Sequence, residues 1–138
     1  MQYGFDYKEL VMSNPGVAIR RNKERLSRRR RHIRKKVFGT AARPRLLVYR
    51  SNKHIYAQVV DDTEGNTLVG CSTLSPSIKG KIKKTDGNID RARIVGEYIA
   101  ELALGKSVSN VSFDRNGKRY HGLIKALAEA ARTGGLKF

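Results

Sequence analysis

Asp114, Arg115 and His121 come nearest to a catalytic set, since a carboxylate, a guanidinium and an imidazole gather there after one apolar run and before the next. The chemistry would be acid–base, at the end of a strand and the start of a helix, where active sites often collect. It lacks a nucleophile, because no serine or cysteine has the spacing of a nucleophile elbow. A nearby carboxylate and histidine more often cap and orient. Asp61, Asp62 and Glu64 form a second acidic group. A two-metal nuclease needs carboxylates converging on a sheet, holding ions ~3.5–4 Å apart. The apolar run Leu46-Leu47-Val48-Tyr49-Arg50 supplies none, and turn chemistry and solvation account for the acids at 61–64. Gly87, Gly96, Gly117 and Gly122 do not space as a phosphate-binding glycine loop. The single cysteine, Cys71, and the 3 scattered histidines make no metal-ligand cluster. Neither an enzyme nor a metal, cofactor or small-molecule substrate is expected.

The chemistry that the residues do support is polyanion binding. From Arg20 to Lys36 the chain places 11 lysines and arginines against one acid, Glu24, while Ile19, Leu26 and Ile33 recur every 7 residues. So many ammonium and guanidinium groups cannot enter a protein interior without partners, and one carboxylate does not supply them. The formal net charge is +17. Residues 1–43 hold 13 basic and 3 acidic side chains, and residues 44–138 hold 16 and 9, so both parts are basic and the first far more densely. A short charge run alone would mean a solvated face or a localisation signal. Here the whole chain leans the same way, which favours nucleic acid. Charge density does not separate RNA from duplex DNA, so a DNA-compacting protein stands as the alternative.

The elements that must present this charge are legible in outline. At 138 residues the chain suits one domain and an arm. Residues 1–16 form an extension, without clean periodicity and expected to be poorly ordered, in which Met12 could be the natural start. Ser13-Asn14-Pro15 offers a cap followed by proline at a first helical position. The helix runs to about Val37 on a narrow stripe of Ile19, Leu26, Ile33 and Val37, so it should fray alone and order on its partner. Residues 17–42 are thus a basic arm and hinge, with Gly39 and Pro44 as breakers, and residues 43–138 the globular domain.

Beyond the hinge the period becomes alternating. Arg45–Arg50 and His54–Asp61 read as strands joined at Ser51-Asn52-Lys53, in a register opposing Tyr49 to Tyr56 and Val48 to Ala57. Val48, Ile55, Ala57 and Val59 share one face; Tyr49, His54, Tyr56 and Gln58 share the other. Residues 61–66 turn the chain into a third strand, Thr67–Thr73, where Cys71 reads as a buried core residue. A connection bearing Lys79, Lys81, Lys83 and Lys84 leads to a helix marked by Ala92, Val95, Ile99 and Leu102, capped by Asn88 or Asp86 and stopped by Gly105. Val108–Phe113 is a fourth strand, and a helix from Tyr120 to Gly134 closes the chain. A strand-helix-strand crossover needs a parallel partner, so the fourth strand belongs beside the first. The expectation is an α/β fold: a three-layer mixed sheet, β-β-β-α-β-α in order 3-2-1-4, with ribonuclease H-like topology behind a basic helical arm. No apolar stretch approaches the ~20 residues of a membrane span, and the opening lacks a signal-peptide core and an arginine-serine presequence. A soluble intracellular protein, bacterial rather than organellar, is expected.

Arg43-Pro44-Arg45-Leu46, the run from Tyr49 to Gln58, Cys71-Ser72-Thr73, Val111-Ser112-Phe113-Asp114-Arg115 and Tyr120-His121-Gly122 follow one another in a familiar order and spacing. From about residue 18 to Phe138 the chain resembles the bacterial type of the L-eighteen (universal uL-eighteen) family of large-subunit ribosomal proteins. The resemblance implies a non-catalytic, cytoplasmic constituent of the large subunit. It would bind 5S rRNA and help attach it to 23S rRNA in the central protuberance, beside other 5S-binding ribosomal proteins. It also implies that RNA is touched by Arg28, Arg29, Arg30, Arg31, Arg34, Lys35 and Lys36 of the arm, by Arg50, Ser51, Asn52, Lys53 and His54, and by Tyr56, Gln58, Thr73, Arg115 and His121. The basic character of the arm and domain adds Arg20, Arg21, Arg25, Arg45 and Lys83. Residues 1–16 depart from the family pattern, and their near-neutral composition gives no reason to place them on RNA.

Overall fold

The computed structural model describes residues 15–83 and 85–138. The cap at Ser13-Asn14, the start at Met12, nearly all of the extension, and Lys84 lie outside the described residues. The arm is helix α1, Pro15–Lys36, with proline at its first position and Arg34, Lys35 and Lys36 in its last turn. Arginine and lysine are good helix formers, and cations at a helix C-terminus meet the negative end of its dipole. The helix therefore forms despite the crowding of charge along it.

The sheet contains β1 (Arg45–Arg50), β2 (Ile55–Asp61), β3 (Asn66–Ser72) and β4 (Ser112–Asp114) in the order β3-β2-β1-β4. The β1–β2 register opposes Tyr49 to Tyr56 and Val48 to Ala57, as the alternation predicts. Strand β4 runs parallel to β1, with Leu47 opposite Asp114. The chain between them carries α2 (Pro76–Lys79) and α3 (Asn88–Gly105), and α4 (Leu123–Thr133) follows. Leu46, Val48, Ile55, Ala57 and Val59 are buried in one core with Val95 and Ile99 of α3 and Ile124 and Leu127 of α4. Cys71 is part of this core, and burial pushes its thiol up to about 12, so it stays protonated and inert. The opposite sheet face carries Leu47, Tyr49, Tyr56 and Gln58, with Tyr49 46% exposed. The expected layers resolve as the helix pair, the sheet and, against one end of that second face, the basic arm.

Some boundaries shift for identifiable reasons. Strand β4 is shorter than the apolar run Val108–Phe113, because its first half pairs with the chain terminus: Val111 N donates to the Lys137 carbonyl at 3.1 Å and Lys137 N to that of Ser109 at 2.8 Å. The terminal Phe138 ring then stacks on Phe113 at 5.2 Å. Helix α4 begins at Leu123 and not Tyr120, since Gly122 before it takes φ +57°; the Tyr120 ring packs edge-on against Phe113. The helical turn α2 was not anticipated, although Ser75-Pro76 is a start signal and Ile78 is its buried anchor. Neither expected residue caps α3. Gly87 holds that position, and the Asp86 carboxylate accepts from Lys83 N instead.

Candidate nucleic-acid interface

The site begins with how the arm is held. Asp62 accepts hydrogen bonds from Arg34 Nη1 at 3.0 Å, Gly39 N at 2.8 Å and Arg45 Nε at 2.9 Å. Arg45 reaches on to Asp114 at 2.7 Å. One carboxylate thus ties the end of α1, the connector and the first strand together. Gly39 is required there, because a Cβ would lie 2.5 Å from the Val60 carbonyl oxygen and 2.7 Å from Arg45 N. Burial alone would raise the Asp62 carboxyl, but the bonds from Arg45, Arg34 and Gly39 outweigh it and hold it well below the usual carboxylate range. One sequence expectation is corrected here. Asp62 is not a solvated turn acid, its side chain being only 9% exposed; Asp61, bonded by Thr63 N and Oγ1, and exposed Glu64 do fit turn chemistry. Arg45, expected among the RNA contacts, has its guanidinium buried and engaged by two aspartates.

Further along, α1 lies on the loop after β4. Arg30 Nε donates to the Asn116 carbonyl at 3.3 Å, and Gly117 packs beneath Leu26, Arg29 and Arg30. Gly117 takes φ +75°, a conformation that glycine adopts without strain, which lets the loop turn under the helix. Two clefts flank this contact. One, of about 490 Å³, is lined by Arg28, Arg29, His32, Arg115, Lys118 and Arg119. The other, of about 480 Å³, is lined by Lys23, Arg25, Arg29, Lys118 and Arg119 along with apolar Ile19 and Leu26. Lys23, His32, Lys118 and Arg119 were missed as site residues. Basic spacing after Asn116-Gly117 was the available signal, but only the docked helix makes it part of the arm.

Asn116 also borders a hollow of about 330 Å³ on the open sheet face, lined by Leu47, Tyr49, Tyr56 and Gln58. The two tyrosine rings lie 5.8 Å apart, tilted by 47°. Loop 114–119 therefore joins an arginine-lined groove to an aromatic hollow with amide groups at its rim. Phosphate chemistry and base-stacking chemistry meet on one surface.

Residues 19–138 match the family model described as ribosomal L18 of archaea, bacteria, mitochondria and chloroplasts. The chain belongs to the ribosomal L18 family. It is 56% identical over 116 residues to the large ribosomal subunit protein uL18 of Thermotoga petrophila, covering 84% of this chain and 94% of that one. The uL18 protein of Thermomicrobium roseum is 55% identical over 119 residues, covering 84% and 96%. That of Pseudothermotoga lettingae is 53% identical over 122 residues, covering 87% and 99%. Ribosomal L18 proteins are structural and not enzymes, and the relatives are by name proteins of the large ribosomal subunit. Asp114, the carboxylate of the nearest approach to a catalytic set, is the buried partner of Arg45.

The remaining candidates of this L18 chain fall into distinct settings. Arg20, Arg21, Arg25, Arg28, Arg29, Arg31, Lys35 and Lys36 are exposed along α1, with Arg20 paired to Glu24 at 3.6 Å. Arg30 and Arg34 fasten the arm. Arg50, Asn52 and Lys53 are exposed at the hairpin tip, which Ser51 closes through its hydroxyl to the His54 carbonyl. Gln58, Lys83, Arg115 and His121 are exposed and Tyr56 is half-buried. Thr73 is 7% exposed, and its hydroxyl lies 2.8 Å from His54 Nδ1, so it orients the imidazole.

Proposed function

We propose that this L18 protein binds 5S rRNA and helps attach it to 23S rRNA in the central protuberance, beside other 5S-binding ribosomal proteins. The observation that carries this reading is the continuity of the arm clefts with the tyrosine hollow through loop 114–119. Arginines of α1 and Lys118 and Arg119 neutralise backbone phosphates, a contribution with little sequence preference and strong salt dependence. Tyr49 and Tyr56 offer ring faces to unstacked bases, and Gln58 and Asn116 offer amides to base edges, which selects single-stranded or looped RNA over duplex DNA.

Competition binding tests this directly. The complex with 5S rRNA should survive excess duplex DNA and yield to unlabelled 5S rRNA; the reverse order would favour a DNA-compacting role. Within the same assay Tyr56→Ala should weaken 5S binding by about 5–150-fold, the equivalent of ~1–3 kcal/mol for one stacked base. Its melting temperature should stay close to that of the wild type, since the ring stands on the open face. A large drop in melting temperature would make Tyr56 a packing residue instead.

A further inference from the structure

The hairpin tip and the start of α3 enclose a small cavity, of about 30 Å³, that is separate from the arm clefts and the tyrosine hollow. On a measure in which one water fills ~10–15 Å³, it has room for two or three oxygen atoms and none for a base. Arg50, Lys53, His54 and Arg91 line it, together with Asn88, the first residue of α3. Three of these side chains carry permanent positive charge, and among the described residues no carboxylate lines the cavity. Arg91 Nε is buried and has no hydrogen-bond partner among the described residues. A cationic donor left dry and unmatched is costly, so its position calls for an acceptor. The end of α3 points the same way, because its Gly87 cap supplies no side-chain bond to the first-turn N–H groups, which lie at the positive end of an 18-residue helix. Asp90 is the one acid in that turn; its exposed carboxylate has Oδ1 3.5 Å from Arg93 and Oδ2 near Gly87. His54 is fixed through Nδ1 on Thr73, which accounts for a buried threonine under an otherwise exposed loop.

We infer that this cavity is a seat for a single RNA backbone phosphate, whose non-bridging oxygens are bound by Arg91, Arg50 and Lys53 at the N-terminus of α3. The inference rests on the RNA-binding reading above and adds an anchoring point on the domain, away from the arm. Its purpose is register: groove and hollow tolerate sliding, whereas an enclosed phosphate seat holds one nucleotide in place.

Arg91→Met, which keeps the long unbranched side chain and removes the charge, tests the seat against 5S rRNA. The slope of log affinity against log salt should fall by about 0.7–0.9, the share of one phosphate. Arg91→Lys should recover most of the lost slope. A neutral methylphosphonate scanned through the RNA should reveal one position whose substitution weakens the wild type yet leaves binding by Arg91→Met unchanged. Lys53→Gln, on an exposed turn, repeats the test should Arg91→Met melt early. Unaltered slopes in both variants, or no methylphosphonate position coupled to them, would overturn the seat while 5S binding stood. Failure of the wild type to bind 5S rRNA would instead overturn the proposed function.

Discussion

Asp62→Asn should destabilise the domain by about 3 kcal/mol and loosen the arm from it. Removing one member of a buried ion pair costs ~3–5 kcal/mol because the other charge is left without compensation; Arg45 keeps Asp114, which places the effect at the lower end. The same carboxylate holds Arg34 and Gly39, so the variant should also speed hydrogen exchange of α1 amides well beyond those of α3. The pH dependence follows from the sign of the shift. A carboxyl held below its ordinary value contributes fully above the unfolded pKa of about 4, and that contribution is lost as pH falls from there towards the folded value. The stability gap between wild type and variant, read from denaturant melts, should hold from neutral pH down to about 5 and close in strongly acid solution. A gap that was absent at neutral pH, with unchanged exchange in α1, would mean that the arm is held elsewhere.

The second large effect concerns affinity. Arg28→Gln, Arg29→Gln and Arg31→Gln combined should lower the salt slope of 5S binding by roughly 2–3 and the affinity near 150 mM salt by on the order of a hundredfold. Arg30 is left in place because it fastens the helix to Asn116. Stability should hold or rise slightly, since like charges one turn apart repel. Binding measured across a salt series decides it: an unchanged slope would show that the arm's charge does not meet phosphate.

The ease with which the sheet was legible has a local cause. The period-two pattern from Arg45 to Asp61 leaves only one register that buries Val48 with Ala57, and the crossover through α3 leaves only one parallel neighbour for β4. The arm's charge and helical seam were equally plain. What escaped the sequence was long-range pairing of polar groups. Asp62 and Arg45 each carry a charge in an outwardly polar stretch, and nothing in their local spacing shows that they meet Arg34 and Asp114. The pairing of Thr73 escaped for the same reason, its partner His54 lying across the strands. Lys118 and Arg119 join the site only because Gly117 accepts Leu26 and Arg30 from far away in the chain. The narrow apolar stripe implies a helix that frays alone; polar fastenings to the domain replace the apolar contacts it lacks.

The central claim is that the docked arm and the open sheet face together clasp one folded RNA. Crosslinking the purified protein to total ribosomal RNA and mapping the adducts tests it most directly. Adducts of 5S rRNA are expected from α1, from the loop of Lys118 and Arg119, and from Tyr49 or Tyr56, all within one neighbourhood of the RNA. Adducts confined to other RNAs, with none on 5S rRNA, would contradict it.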